Sequence, residues 1–160
     1  MRFDYDLITI GLGPAGMAVS IMGSEMGLKV CAIEKHKVGG ECMNVGCIPS
    51  KALLRMAKVR SHFDKLSNME LADVPKPRVL KPFARIQEHL QFISEKKTMS
   101  MFDKVHMVYQ QGPASFVDPH TVEVAGQKYT ARRIFICAGT RPEVPQFPGL
   151  SDIDYYYSAS

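Results

Sequence analysis

The sequence predicts an α/β fold in which helices flank a parallel sheet and an antiparallel β-meander follows. A strand–helix–strand pattern near the N-terminus forms a βαβ unit, whose strands are parallel. Beyond residue 105 the pattern changes to short strands separated by tight turns. The composition, with 46% hydrophobic and 22% charged residues, is that of an ordinary globular protein. Together these observations predict one domain with its own core over residues 1–150.

The first half of the chain is predicted to alternate strands with helices. In order, a strand, a helix, a strand and two helices are expected over residues 5–10, 14–26, 29–33, 48–66 and 83–102. Pro14 suits a first helical turn, and Gly27 suits a helix end. Residues 72–82 are rich in proline and are predicted to form a connector. The Met and Phe residues within 83–102 are expected to pack in the core.

The second half is predicted to consist of strands. They are expected over residues 105–109, 114–117, 121–124, 128–130 and 134–138. Residues 118–120 and 125–127 carry turn signals, which join these strands into a β-meander. Cys31 and Cys137 lie within apolar runs and are expected to be buried thiols on strands.

Charge and cysteine content exclude several classes of protein. The net charge of +4, from 20 basic and 16 acidic residues, is too small to indicate nucleic-acid binding. The apolar runs are too short to span a bilayer, and Asp4 and Asp6 disfavour a secretory signal. Four cysteines are too few for a disulfide-stapled secreted scaffold of this size. We therefore expect a soluble, cytoplasmic protein without a nucleic-acid or membrane partner.

A glycine-rich loop follows the first strand. The pattern G-x-G-x-x-G is formed by Gly11, Leu12, Gly13, Pro14, Ala15 and Gly16. Gly11 allows a sharp turn, Gly13 lets a pyrophosphate approach the backbone, and Gly16 lets the helix lie close to the sheet. The helix N-terminus supplies free N–H groups and a positive dipole end for phosphates. Glu34, at the end of the next strand, can accept a hydrogen bond from a ribose 2′-hydroxyl. This context predicts a Rossmann-like dinucleotide site, and the alternative is a glycine-rich turn without a ligand.

Two cysteines lie in a polar, glycine-containing stretch. Positions five apart in a regular helix place their Cα atoms roughly 8–9 Å apart, whereas a disulfide needs less than about 7 Å. A bridge from Cys42 to Cys47 therefore requires a distorted turn, which Asn44 and Gly46 tolerate. A helix beginning near residue 48 favours thiolate at Cys47, and Lys51 adds a positive charge nearby. A zinc site and two unreactive thiols are the alternatives.

Residues 39–51 closely resemble the redox-active disulfide motif of the pyridine nucleotide–disulfide oxidoreductases. This flavoprotein family includes dihydrolipoamide dehydrogenase, glutathione reductase and mercuric reductase. The resemblance continues through residues 112–116 and 136–142. It implies a Rossmann-like FAD-binding domain, with FAD rather than NAD in the glycine-loop site.

The resemblance also implies a function for each cysteine. Cys42 corresponds to the thiol that attacks the substrate disulfide, and Cys47 to the thiolate that lies against the flavin. Electrons are expected to pass from NAD(P)H through flavin and the Cys42–Cys47 disulfide to a small-molecule or protein disulfide. The cofactor-binding residues implied are Gly11, Gly13, Pro14, Ala15, Gly16, Glu34, Lys35, Gly40, Glu41, Cys42, Cys47, Lys51, Ala114, Ala138, Gly139 and Thr140.

The chain departs from the family pattern in residues and in length. Glu41 stands where threonine is usual, and Ala138 replaces a threonine whose hydroxyl contact is therefore lost. The family's enzymes are much longer, with an NAD(P) domain and a C-terminal His–Glu pair. We therefore expect the N-terminal part of a homodimeric reductase, inactive alone, with residues 151–160 beginning the connection to the next domain. The alternative is a non-catalytic module that binds FAD or an adenine nucleotide, with idle cysteines.

Overall fold

The computed structural model describes residues 3–72, 75 and 78–156. The strands are β1 (Tyr5–Ile10), β2 (Val30–Glu34), β3 (His106–Tyr109), β4 (Ser115–Asp118), β5 (Thr121–Val124) and β6 (Gln127–Ile136). The helices are α1 (Pro14–Glu25), α2 (Gly40–Asn44), α3 (Cys47–Asn68) and α4 (Pro82–Phe92). A π-helical turn (Ile93–Thr98) and 3₁₀ turns (Met99–Phe102 and Leu150–Asp152) complete the regular structure. The expected connector and the last ten residues fall partly outside the described residues, at 73, 74, 76, 77 and 157–160.

The six strands form one sheet in the order β3-β2-β1-β6-β5-β4. The first four are parallel, and β4, β5 and the start of β6 are antiparallel. This arrangement confirms the predicted α/β fold with its β-meander.

The prediction of two strands over 128–130 and 134–138 was wrong, because β6 is continuous. Its first residues pair with β5, from Gln127 opposite Val124 to Thr130 opposite Thr121. Its later residues pair with β1, ending at Ile136 opposite Ile10. One strand thus belongs to both the meander and the parallel sheet. The basic pair at 132 and 133 does not interrupt it, because strand pairing satisfies the backbone whatever the exposed side chains are.

The parallel sheet is covered on both faces. All five residues of β2 are buried, as expected of a parallel strand with a layer on each side. One face carries Leu7 and Val30, which pack with Leu12, Val38, Phe102 and Val105 and with side chains of α1. The opposite face carries Ile8 and Ile33, which pack with Val122, Val124 and Ala131 of the meander. The sheet therefore lies between a helical layer and the meander.

Small residues allow α1 to lie close to the sheet. Gly16, Ser20 and Gly23 are the buried positions of this helix. A Cβ at Gly23 would lie 3.3 Å from Val30 and 3.4 Å from Leu7. The hydroxyls of Ser20 and of Thr9 on β1 are buried without a hydrogen-bond partner among the described residues.

The expected helix over 83–102 is helical throughout but changes its hydrogen bonding. The α-helix ends at Phe92, and the π turn that follows has more residues per turn, which rotates the apolar stripe. Ile86, Leu90 and Phe102 are buried. The expectation that all Met and Phe residues here pack in the core was wrong, because Phe83, Phe92 and Met101 are exposed.

The two cysteines expected on strands differ in environment. Cys31 lies within β2 and is fully buried, and this burial raises the pKa of its thiol to about 12. The prediction for Cys137 was wrong. It lies one residue beyond β6 and is half-buried, because pairing with β1 ends at Ile10. Its backbone N–H donates to the Ile10 carbonyl at 2.7 Å.

Within the described residues, no helix combines the length and apolar character needed to cross a membrane.

Candidate functional site

Four loops meet at the edge of the sheet where the parallel strands end, here called the carboxyl edge. They are residues 11–13 after β1, 35–39 after β2, 110–114 after β3 and 137–140 after β6. Ligands of open α/β sheets bind at this edge, outside the carboxyl ends of the strands. The residues singled out in the sequence lie on these loops or on the helices that follow them.

The glycine loop is closely packed against its neighbours. Gly11 adopts a φ of +91°, and a Cβ there would lie 2.5 Å from the Cys137 carbonyl oxygen. A Cβ at Gly16 would lie 1.8 Å from the Gly11 carbonyl oxygen. Neither position can accept a side chain without movement of the backbone.

Gly13 differs because the space beside it is open. Among the described residues, a Cβ there would meet only the Cα of Gly40, at 3.9 Å. Gly13 caps the N-terminus of α1, and Pro14 begins the helix. No acidic residue lies in the first turn, and no described side chain caps it. Free N–H groups beside an open glycine suit a pyrophosphate.

The Glu34 side chain is buried and fixed at both carboxylate oxygens. The Leu12 N–H donates to Oε2 at 2.7 Å, and the His36 N–H donates to Oε1 at 2.7 Å. The Leu12 carbonyl in turn accepts the Gly39 N–H at 2.7 Å. Each carboxylate oxygen keeps a lone pair that can accept a ribose hydroxyl.

Gln110 was missed by the sequence analysis, yet it joins two loops of this edge. Its backbone N–H donates to the Glu34 carbonyl at 2.7 Å. Its side-chain Nε2 donates to the His36 carbonyl at 2.9 Å. The available signal was a polar residue directly after an apolar strand, at the edge where other strands carry site residues.

The cysteine pair spans a break between two helices. Cys42 lies on α2, which ends at Asn44, and Cys47 is the first residue of α3. The Val45 and Gly46 N–H groups both donate to the Glu41 carbonyl, at 2.9 and 2.7 Å, which ends α2.

Asn44 fastens α2 to the preceding loop. Its Nδ2 donates to the Gly40 carbonyl at 2.8 Å and to the Val38 carbonyl at 3.1 Å. The sequence analysis considered only its tolerance of a distorted backbone and missed these bonds. They tie the end of α2 back to its start at Gly40, which lies close to Gly13 in the glycine loop.

Both cysteines are free thiols, and the Cys47 side chain lies close enough to act on the pKa of Cys42. The pKa of Cys42 is raised, and the main cause is the hydrogen-bonding interaction between its side chain and that of Cys47. Partial burial raises the same pKa further. The Lys51 ammonium and the Cys47 backbone N–H oppose the shift, because both stabilise a Cys42 thiolate.

The remaining predicted site residues lie at the same edge, and their roles stay predictions. Pro14 and Ala15 are exposed in the first turn of α1, and Lys35 and Glu41 are exposed beside the Glu34 and Cys42 positions. Ala114 is half-buried before β4. Ala138, Gly139 and Thr140 are exposed after β6, and Gly139 has a φ of +73°.

Comparison with known proteins finds one family over nearly the whole chain. The family model described as pyridine nucleotide-disulphide oxidoreductase matches residues 5–159. A mercuric reductase of Staphylococcus aureus is 32% identical over 98% of this chain and 29% of its own length. A dihydrolipoyl dehydrogenase of Thermus scotoductus is 37% identical over 93% of this chain and 32% of its own length.

A solved structure shows the same fold. The HOCl-induced flavoprotein disulfide reductase RclA from Escherichia coli matches with a TM-score of 0.71 and 26% identity. The match covers 92% of this chain and 31% of that protein. The chain thus spans about a third of the length of the proteins it resembles.

Proposed function

Because this chain belongs to the pyridine nucleotide-disulphide oxidoreductases, whose members bind FAD and use NAD(P)H, we propose that it supplies the FAD cradle and the redox-active cysteine pair of a disulfide reductase. The proposal concerns the activity of a whole enzyme, of whose relatives this chain spans about a third.

The proximity of the Cys42 and Cys47 side chains, next to the glycine loop, is the observation that carries the proposal. Gly40 lies two residues before Cys42, and a Cβ on Gly40 would come 2.9 Å from the Gly13 Cα. The start of α2, the helix that carries Cys42, thus lies against Gly13, beside which a pyrophosphate fits. A flavin dinucleotide held there would lie beside the segment that carries the two sulfurs, with which it could exchange electrons.

The described residues fit FAD. The N-terminus of α1 and the open side of Gly13 suit its pyrophosphate, and the Glu34 carboxylate suits its adenosine ribose. By similarity to the family, Lys51 and Cys47 would lie near the flavin ring and Ala114 near the adenine. The loop at 138–140 would close the site. When bound, FAD supplies two-electron transfer between a nicotinamide and a disulfide.

The cysteines would carry those electrons to the substrate by thiol–disulfide exchange. The Cys42 thiolate attacks one sulfur of the substrate disulfide, forming a mixed disulfide and releasing one substrate thiolate. The Cys47 thiolate then attacks the Cys42 sulfur, forming the Cys42–Cys47 bond and releasing the second substrate thiolate. Two electrons pass to the substrate and the cysteine pair is oxidised. Lys51 stabilises the attacking thiolate.

Thiol mapping tests the cysteine pair. We expect oxidised glutathione to remove two thiols from the reduced, FAD-loaded protein, with the disulfide mapped by mass spectrometry to Cys42 and Cys47 and reversed by dithiothreitol. Cys137→Ala should give the same bridge, whereas Cys47→Ser should stop at a glutathione adduct on Cys42. Wild-type protein that keeps four thiols, or only the adduct, would contradict a redox-active pair.

Gly13→Ala tests the cradle separately. Gly13 has an extended backbone, with a φ of −69° and a ψ of −174°, and a Cβ there meets no protein atom closer than 3.9 Å. The variant should therefore fold like the wild type yet bind FAD at least about tenfold more weakly, because the methyl group occupies the pyrophosphate position. Calorimetric titration with FAD measures the affinity, and circular dichroism checks the fold. Unchanged FAD affinity in a folded variant would place the cofactor elsewhere.

A further inference from the structure

We propose that Gln110 is a positioning residue for the ribose end of the cofactor site, acting through His36 on the Glu34 carboxylate. The inference rests on the proposed FAD site and extends it to a residue outside the glycine and cysteine motifs. The ligand group concerned is the ribose 2′-hydroxyl of an adenosine.

Gln110 holds the loop after β2 from the neighbouring strand. It follows the last residue of β3, at the outer side of the parallel strands. Its backbone N–H continues the pairing by donating to the Glu34 carbonyl at 2.7 Å. Its side chain then reaches past Glu34 to the His36 carbonyl, at 2.9 Å. One residue therefore fixes the loop both where it leaves the sheet and two residues later.

This second bond is coupled to the Glu34 side chain through one residue. The His36 N–H donates to Oε1 of Glu34, while the His36 carbonyl accepts from Gln110. The other carboxylate oxygen is fixed by the Leu12 N–H. Without the Gln110 donor, the His36 carbonyl loses this partner, so its exposed loop can turn toward solvent and carry the His36 N–H away from Oε1. The carboxylate would then be fixed on one side only.

The backbone of Gln110 indicates that this position is under constraint. Its φ is +57°, a left-handed conformation that side-chain-bearing residues rarely adopt. Such a conformation persists where the surrounding contacts specify it, and it is common at ligand sites. Here the contacts are the hydrogen bonds to the Glu34 and His36 carbonyls, with a third from Nε2 to the Tyr109 hydroxyl at 3.3 Å.

The test compares two ligands on matched variants. Gln110→Leu removes the donor at similar size, and Gln111→Leu makes the same change at the exposed neighbouring residue. Each protein is titrated calorimetrically with FAD and with the FAD analogue that has 2′-deoxyadenosine. We expect Gln110→Leu to weaken FAD binding about tenfold. This is the effect of losing a well-placed hydrogen bond from the ribose hydroxyl to the Glu34 carboxylate. The 2′-deoxy analogue should lose less than about twofold, and Gln111→Leu should change neither affinity.

A third variant separates the side chain from the backbone. Gln110→Gly accepts the left-handed conformation without strain but lacks the donor, so it should discriminate between the ligands as Gln110→Leu does. FAD affinity restored by glycine, or an equal loss for both ligands in Gln110→Leu, would overturn the inference in favour of a structural role. Wild-type protein that binds neither FAD nor ADP would instead overturn the proposed function, and this inference with it.

Discussion

At the scale of single residues, the two cysteines of the pair are chemically unequal. Cys42 is half-buried on α2, whereas Cys47 is exposed as the first residue of α3. A helix N-terminus stabilises negative charge close to it. This asymmetry supports the proposal that Cys47 is the thiolate facing the flavin.

Replacing Cys47 should make Cys42 more acidic. The hydrogen bond to Cys47 is the largest contribution raising the pKa of Cys42, so Cys47→Ala removes it and lowers that pKa. At neutral pH a larger thiolate fraction should increase the rate of Cys42 alkylation by iodoacetamide several-fold. Cys47→Ser retains an acceptor oxygen and should lie closer to the wild type. Equal alkylation rates against pH in Cys47→Ala and wild type would contradict the hydrogen bond.

Replacing Lys51 should act in the opposite direction. Its ammonium lowers the pKa of Cys42, so Lys51→Met should raise that pKa and slow alkylation below pH 9. Lys58→Met, the same change two turns further along α3, should leave the alkylation profile in place. A profile shifted equally by both variants would indicate a general effect of net charge, screened by salt, rather than a local interaction.

At the scale of elements, the parts with a strong local signal could be predicted from the sequence. The bounds of β1 and β5 are those expected, because a short branched-residue run followed by glycine, or framed by two turns, specifies both ends. The continuity of β6 could not be predicted from the sequence, because its two basic residues resemble a break in an apolar strand. The side-chain hydrogen bonds of Asn44 and Gln110 join loops that the parallel sheet brings together. The spacing of residues along the chain does not show which loops meet.

The glycine loop packs closely against α1, and a methyl group added at Gly16 should force the two apart. Gly16→Ala places a Cβ 1.8 Å from the Gly11 carbonyl oxygen, so we expect a loss of about 3 kcal/mol or more in the free energy of unfolding. In Gly27→Ala the new Cβ meets no atom of the described residues within 4 Å, so the change should cost the strain of a φ of +81°, about 1 kcal/mol. Urea denaturation measures both. Similar losses in the two variants would show that α1 can move away from the loop.

At the scale of the whole molecule, the parallel sheet and the meander should unfold together. They share β6, and one apolar cluster joins Ile8 and Cys31 of the sheet to Val122 and Val124 of the meander. Layers that share a strand and a core have no boundary at which to separate.

Val122→Ala, at a fully buried meander position, tests this cooperativity. We expect a loss of about 2 kcal/mol in the free energy of unfolding, with reduced amide-exchange protection in β1 and β2 as well as in the meander. Ile8→Ala should give the same pattern from the other layer. Loss of protection confined to β4 and β5 would show that the meander opens independently.

The backbone of Leu12 connects the two ends of the site. Its N–H holds the Glu34 carboxylate and its carbonyl holds Gly39, the residue before α2. The hydrogen bonds that fix both ends of the cradle lie within the protein itself, so the proposed dinucleotide would not have to supply them. Its binding would therefore have to offset less of the conformational entropy of gathering separate loops, which favours slow release over rapid exchange.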